Sequence, residues 1–154
     1  MRPELLLPAG AEGAQPLVLD TNIVLDLLVF ADPATAPLRA LLAQGRLAWI
    51  ATQPMRDELA CVLAYPHVVA RLHRADGAAA QVLAAFDAGA RLVDEAPRAP
   101  CICKDADDQK FIDLAAAHGA VLLSKDQAVL RLRRRLAPLG AQVAVALRLA
   151  DVER

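Results

Sequence analysis

Aromatic residues are scarce in this chain. Trp49, Tyr65 and three phenylalanines make up 3% of its 154 residues. Ala, Leu and Val must therefore fill any core, which favours close approach between elements. Cysteine is almost absent. Cys61, Cys101 and Cys103 are an odd set without framework spacing, which excludes a disulfide scaffold and points to a reducing, cytoplasmic setting. Cys101-x-Cys103 has no second cysteine pair or nearby histidine to make it a metal or redox site. His67, His73 and His118 are scattered and fit no zinc spacing. No apolar run reaches the length of a membrane span, so no membrane partner is expected. Neither sign of charge dominates: 17 basic and 18 acidic residues leave a net charge of -1. That excludes a polycation that coats nucleic acid. It leaves room for a local nucleic-acid site in which a cation offsets clustered carboxylates. There is no glycine-rich phosphate loop, no dinucleotide fingerprint behind a strand and no serine nucleophile elbow.

What is present is globular. Hydrophobic residues make up 56% of the chain and charged residues 23%, enough for a substantial core and typical of one domain at this length. Residues 1–16 carry Pro3, Pro8, Gly10, Gly13 and Pro16 and lack the basic start and apolar core of a secretory signal; they read as a flexible lead-in. The domain proper is expected over residues 17–150.

That domain begins with Leu17-Val18-Leu19-Asp20, a buried strand that delivers a carboxylate to its tip. A helix follows through about Phe30, stopped before Asp32-Pro33. Residues 35–44 read as a second helix with Thr35 as its cap, and residues 47–51 as a second strand. Thr52 caps a third helix, with Leu59, Val62 and Leu63 as its apolar stripe, broken at Tyr65-Pro66. Helices are expected over 67–74 and 77–88, a short strand over 91–93 and a loop over 94–104. Asp105 to Asp108 open a helix whose stripe is Phe111, Ile112, Leu114 and Ala115, ended by Gly119. A strand over 120–124, a helix over 127–137 and a last strand over 142–146 complete the chain. This alternation predicts an α/β fold: three layers, α/β/α, around a mainly parallel sheet of four to five strands.

In such sheets sites lie just past the carboxyl ends of the strands. Asp20 and Asp126 end apolar strands, Glu58 starts the helix leaving the 47–51 strand, and Asp108 starts the helix that feeds the 120–124 strand. Carboxylates converging on one edge repel one another, and a hard divalent cation resolves the repulsion. Oxygen ligands without His or Cys favour Mg²⁺ or Mn²⁺. The chemistry such a site suits is phosphodiester hydrolysis. Asn22 or Ser124 would hydrogen-bond a ligating carboxylate. Arg56, Lys104 and Lys110 lie nearer the acidic residues than the arginines at 131 and 133–135, which read as a solvated helix face.

Four stretches then resemble the motifs of PIN domains: Val18-Leu19-Asp20-Thr21-Asn22, Met55-Arg56-Asp57-Glu58-Leu59, Cys103-Lys104-Asp105-x-Asp107-Asp108-x-Lys110-Phe111, and Leu122-Leu123-Ser124-Lys125-Asp126. They cover about residues 17–145. The nearest subgroup is the VapC-like toxins of toxin–antitoxin systems. The resemblance implies a metal-dependent endoribonuclease, with Asp20, Glu58, Asp108 and Asp126 as catalytic and metal-binding residues. Asp105 and Asp107 are rivals to Asp108, and Asp105 otherwise supports the ligands. RNA contacts fall to Lys110, Lys125 and Arg56. A homodimer and a small antitoxin partner are implied as well. The chain departs from the pattern at Ala106, Gln109 and Lys125. Lys125 stands where glycine is common, and would either grip a phosphate or pair with a carboxylate.

Two other readings compete. One is a non-catalytic RNA- or partner-binding PIN-like module. The other is a phosphohydrolase of the DxDxT kind, which Asn22 disfavours because it stands at the second aspartate's position.

Overall fold

The computed structural model describes residues 4–7 and 13–149. Strand β1 (Glu4–Leu7) precedes β2 (Gln15–Leu19), which runs into helix α1 (Thr21–Leu28). A 3-10 turn at Pro33–Thr35 leads into α2 (Ala36–Ala43), then β3 (Leu47–Ala51) and α3 (Gln53–Val62). Helices α4 (Pro66–Arg74) and α5 (Ala79–Gly89) precede the short β4 (Arg91–Leu92). After a long loop, a 3-10 turn at Ala106–Asp108 opens α6 (Gln109–His118), which feeds β5 (Val121–Leu123). Helices α7 (Gln127–Leu130) and α8 (Arg133–Leu136) lead to β6 (Gln142–Ala144) and β7 (Ala146–Leu149).

The main sheet has five parallel strands in the order β4-β3-β2-β5-β6, flanked by helices, so the α/β architecture expected from the sequence is the one observed. Helices α1, α3 and α5 pack on one another, α2 lies against β3, and α6 against β2 and β5. Leu17, Val18, Val121 and Leu122 are wholly buried at the centre, as a parallel sheet covered on both faces requires. Trp49 meets Phe86 edge to face at 5.1 Å, and a Cβ at Gly89 would come within 3.1 Å of the Trp49 ring. With few large side chains available, small residues let helix and sheet close on the one indole. Gly119 ends α6 at φ +58, a left-handed conformation suited to glycine, and turns the chain into β5.

Several boundaries differ from the sequence reading. The segment expected to be a lead-in contains β1 and the first two residues of β2; residues 1–3 and 8–12 lie outside those described. β1 pairs in parallel with β7, forming a second, two-stranded sheet. The last strand of the main sheet stops at Ala144, and the chain then leaves that sheet to form β7. The helix expected over 127–137 is two short helices, interrupted at Arg131 and Leu132. Thr35 and Thr52 hold the cap positions of α2 and α3 without side-chain capping bonds. Thr35 Oγ1 donates instead to the carbonyl of Asp32. His67, His73 and His118 are exposed. Among the described residues no helix is long and apolar enough to cross a membrane.

Candidate active site

Register places the first pair of site residues. Leu17, Val18 and Leu19 pair with Val121, Leu122 and Leu123, so Asp20 and Ser124 emerge together at the C-terminal edge. The Asp20 backbone N–H still donates to the Leu123 carbonyl at 3.0 Å. Ser124 Oγ donates to Asp20 Oδ2 at 2.6 Å and accepts from the Asp126 backbone N–H at 3.1 Å. One buried hydroxyl therefore ties the carboxylate of one strand to the backbone leaving the next. The Asp126 carboxylate caps α7 by accepting from the Ala128 N–H at 2.8 Å. Of Asn22 and Ser124, expected to hydrogen-bond a ligating carboxylate, Ser124 does so with its side chain. Asn22 has an exposed side chain and reaches the Asp20 carboxylate through its backbone N–H.

The 3-10 turn ahead of α6 brings in the rest. Asp105, Asp108 and Asp126 each place one carboxylate oxygen within 4.8 Å of the other two. Asp105 is exposed, and its side chain also accepts from the Asp107 N–H. Asp107 is exposed and lies outside this group; its carbonyl accepts a bond from Lys110. Asp108 is only 9% exposed, and its Oδ2 is a fully buried carboxylate oxygen without a hydrogen-bond partner.

Electrostatics follow from this crowding. The Asp108 carboxyl is raised to about 8, first by burial, then by the proton it shares with Asp126, with the charges of Asp20, Asp126 and Asp105 adding to the effect. Asp20 is raised above the ordinary carboxylate range chiefly by burial. Glu58 and Asp126 push the same way, while the Ser124 hydroxyl and the Asn22 N–H oppose the shift. Burial raises the Cys103 thiol as well, aided by the nearby aspartates, so it stays protonated. Cys101 and Cys103 are both buried and free.

Asp20 lies outside the group of three aspartates, and so does Glu58. Its Oε1 accepts from Lys110 Nζ at 2.8 Å, and its Oε2 accepts from the hydroxyl of Thr21. Two of the three cations expected to meet RNA are engaged elsewhere. Arg56 forms a two-pronged pair with Asp87, at 2.7 and 2.8 Å. Lys125 pairs with Asp26 at 2.5 Å, beside a cavity of about 210 Å³ lined in part by Ile23, Thr35, Leu38 and Leu123. Lys104 is exposed.

Sequence reasoning missed Thr21 and Gln109. Thr21 follows Asp20 directly, and that adjacency was the available signal. Gln109 is buried under the acidic turn. Its Oε1 accepts from the Cys103 N–H at 2.6 Å, and its Nε2 donates to the Cys101 carbonyl and to Asp113 Oδ1, both at 2.9 Å. Asp113 in turn accepts from the Ala99 N–H at 2.8 Å. The departure at Gln109 thus fastens the 99–103 loop to α6, directly before Asp105. Gln109→Ala leaves a buried N–H and a buried carbonyl unpaired. A loss of about 2–6 kcal/mol of stability is expected in urea unfolding, at about 1–3 kcal/mol for each stranded group.

The aspartates gather at the C-terminal edge of a parallel α/β sheet, where the sites of such sheets lie. The family model for the PIN domain matches residues 16–128, and the chain belongs to that family. PIN domains are generally nucleases, and they typically use divalent metals. No curated protein matches the chain.

Proposed function

We propose that the chain is a metal-dependent endoribonuclease that hydrolyses RNA phosphodiester bonds and acts as the toxin of a toxin–antitoxin pair. The observation that carries the hydrolytic part is Asp108, a member of the group of three aspartates whose Oδ2 is buried with no partner of its own. An unpaired buried carboxylate oxygen is costly in isolation, and a hard cation satisfies it. The donor set around it is oxygen only, which fits Mg²⁺ or Mn²⁺. Asp105, Asp108 and Asp126 would hold the ion between them, and Asp20, joined to the Asp126 turn through Ser124, would complete its ligands.

Bound there, the ion would supply positive charge to the phosphodiester, lower the pKa of an attacking water and steady the leaving oxygen. The chain's own residues prepare the place. Ser124 keeps Asp20 in one orientation through its hydroxyl, and the same oxygen fixes the turn that carries Asp126. Gln109 holds the loop that delivers Asp105 and Asp108. Asp108 would hold the ion only as a carboxylate, so binding would weaken as pH falls. Both Glu58 oxygens are taken, one by the Thr21 hydroxyl and one by the Lys110 ammonium, so Glu58 serves the site by holding Lys110.

The toxin role, a cytoplasmic location, a homodimer and a small antitoxin partner rest on the four VapC-like motifs. The non-catalytic reading leans on Lys125 entering the site, and the pairing of Lys125 with Asp26 removes that support. A mixed single-stranded RNA panel tests the activity. Cleavage with Mn²⁺ or Mg²⁺ that stops on adding EDTA is expected. Intact RNA under all conditions, together with no Mn²⁺ binding by calorimetry, would return the chain to the binding-module reading. Induced expression that leaves growth unaffected would remove the toxin role alone.

A further inference from the structure

The acidic residues at the sheet edge divide into two groups. Asp105, Asp108 and Asp126 come together closely enough for one ion, and neither Asp20, which Ser124 holds, nor Glu58 is among them. Both Glu58 oxygens are engaged, one by the Lys110 ammonium and the other by the Thr21 hydroxyl. Lys110 is itself held on three sides. It donates to Glu58 and to the Asp107 carbonyl, and its Nζ lies 4.9 Å from the centre of the Phe111 ring. Its side chain is 25% exposed and that of Glu58 28%, so the pair is sheltered while one side remains open to a ligand.

Position gives this pair its meaning. Lys110 lies in the first turn of α6, two residues after Asp108, and bonds the carbonyl of the residue just before Asp108. Its ammonium therefore joins Glu58 to the turn that carries Asp108. Two-ion phosphodiesterases hold their cations about 3.5–4 Å apart and need carboxylates for both. Glu58 is the acid that a second ion would use, and a cation already occupies it.

We propose that this centre takes a single divalent ion, on the side of Asp105, Asp108 and Asp126, and that the Lys110 ammonium replaces a second one, presenting its positive charge to the substrate phosphodiester. The proposal rests on the nuclease reading above. Thr21 acts as a positioning residue, fixing the Glu58 carboxylate that holds Lys110 in place.

The test is Mn²⁺ stoichiometry, by calorimetry and electron paramagnetic resonance, on the full chain and on K110M and K110M/E58Q, each checked for folding by circular dichroism. The wild type is expected to bind one Mn²⁺ with the spectrum of an isolated ion. K110M is expected to bind a second, with spin coupling between the two, and K110M/E58Q to return to one. RNA cleavage by K110M at low Mn²⁺ should fall on the order of 10²-fold, the scale of losing one preorganised positive donor. Two Mn²⁺ on a wild type that cleaves RNA would overturn the proposal and leave the nuclease reading standing. One Mn²⁺ on both wild type and K110M would also overturn it, because Lys110 would not be what excludes the second ion. No Mn²⁺ on the wild type and no cleavage would remove the nuclease reading and this proposal together. If K110M does not fold, K110Q takes its place under the same criteria.

Discussion

With metal removed by EDTA, Asp108→Asn should make the protein more stable at pH 8 and should abolish its stabilisation by Mn²⁺. The cause is the burial of Asp108 among Asp20, Asp105 and Asp126. Its carboxyl keeps its proton in the folded chain up to about 8, whereas the unfolded chain releases it near the ordinary value of 3.8. Across that window the folded state holds a proton that the unfolded state lacks. Wild-type stability therefore falls as pH rises from about 4 to about 8. The introduced amide carries no charge to desolvate, and its N–H₂ can donate to Asp126 where the carboxyl's proton did.

The gain should reach at least about 2 kcal/mol at pH 8 and vanish towards pH 4. It is a fraction of what ~1.4 kcal/mol per pH unit would give across the window, since the proton is shared with Asp126. Urea unfolding at pH 5 and pH 8 measures it. Saturating Mn²⁺ should reverse the order. The wild type gains about 2.7 kcal/mol when the ion stands at a hundred times its dissociation constant, and the variant loses this. Equal pH dependence in wild type and variant would mean that Asp108 is not strained by its neighbours.

The central strands are legible in the sequence because a parallel strand covered on both faces must be a continuous apolar run, and residues 17–19, 47–51 and 121–123 are such runs. Asp20 and Asp126 are legible because each directly ends or follows a run, which fixes its place once the sheet is parallel. What stays hidden depends on distant partners. β1 is Glu-Leu-Leu-Leu between prolines, and only its pairing with Ala146–Leu149 makes it a strand. Arg56 and Lys125 sit inside acidic motifs but find Asp87 and Asp26, neither of which belongs to a motif. In the sequence Gln109 is no more than a lost charge. Its three hydrogen bonds are made to a loop with no regular pattern and to Asp113, which sequence periodicity cannot register. That Glu58 lies on the helix leaving β3 follows from the sequence, but it sits in the second turn of α3 and not at the helix start, and its engagement by Lys110 and Thr21 depends on how α3, α6 and α1 meet.

The second large effect belongs to the pair joined by Ser124. Asp20→Asn should lower Mn²⁺-dependent RNA cleavage by ~10³-fold or more, which corresponds to about 4 kcal/mol of transition-state stabilisation. The fold should survive, because the introduced amide oxygen can accept the Ser124 hydrogen bond that Asp20 Oδ2 accepts at 2.6 Å. What is lost is the negative charge, and with it a ligand. Ser124→Ala makes the complementary change. It keeps every carboxylate and removes the hydroxyl that orients Asp20 and accepts the Asp126 N–H. Its cost should be smaller, about 10–100-fold in activity or metal affinity, the usual scale for a residue that orients a ligand. It should also free the Asp20 carboxyl to rise further, because the Ser124 hydrogen bond is the largest influence holding it down against burial. The cleavage rate of Ser124→Ala should therefore need a higher pH than wild type to reach its plateau. Rate–pH profiles of the two proteins at fixed Mn²⁺ read this shift directly. A reduced rate with an unshifted profile would mean that Ser124 only packs at the strand end and does not set the state of Asp20.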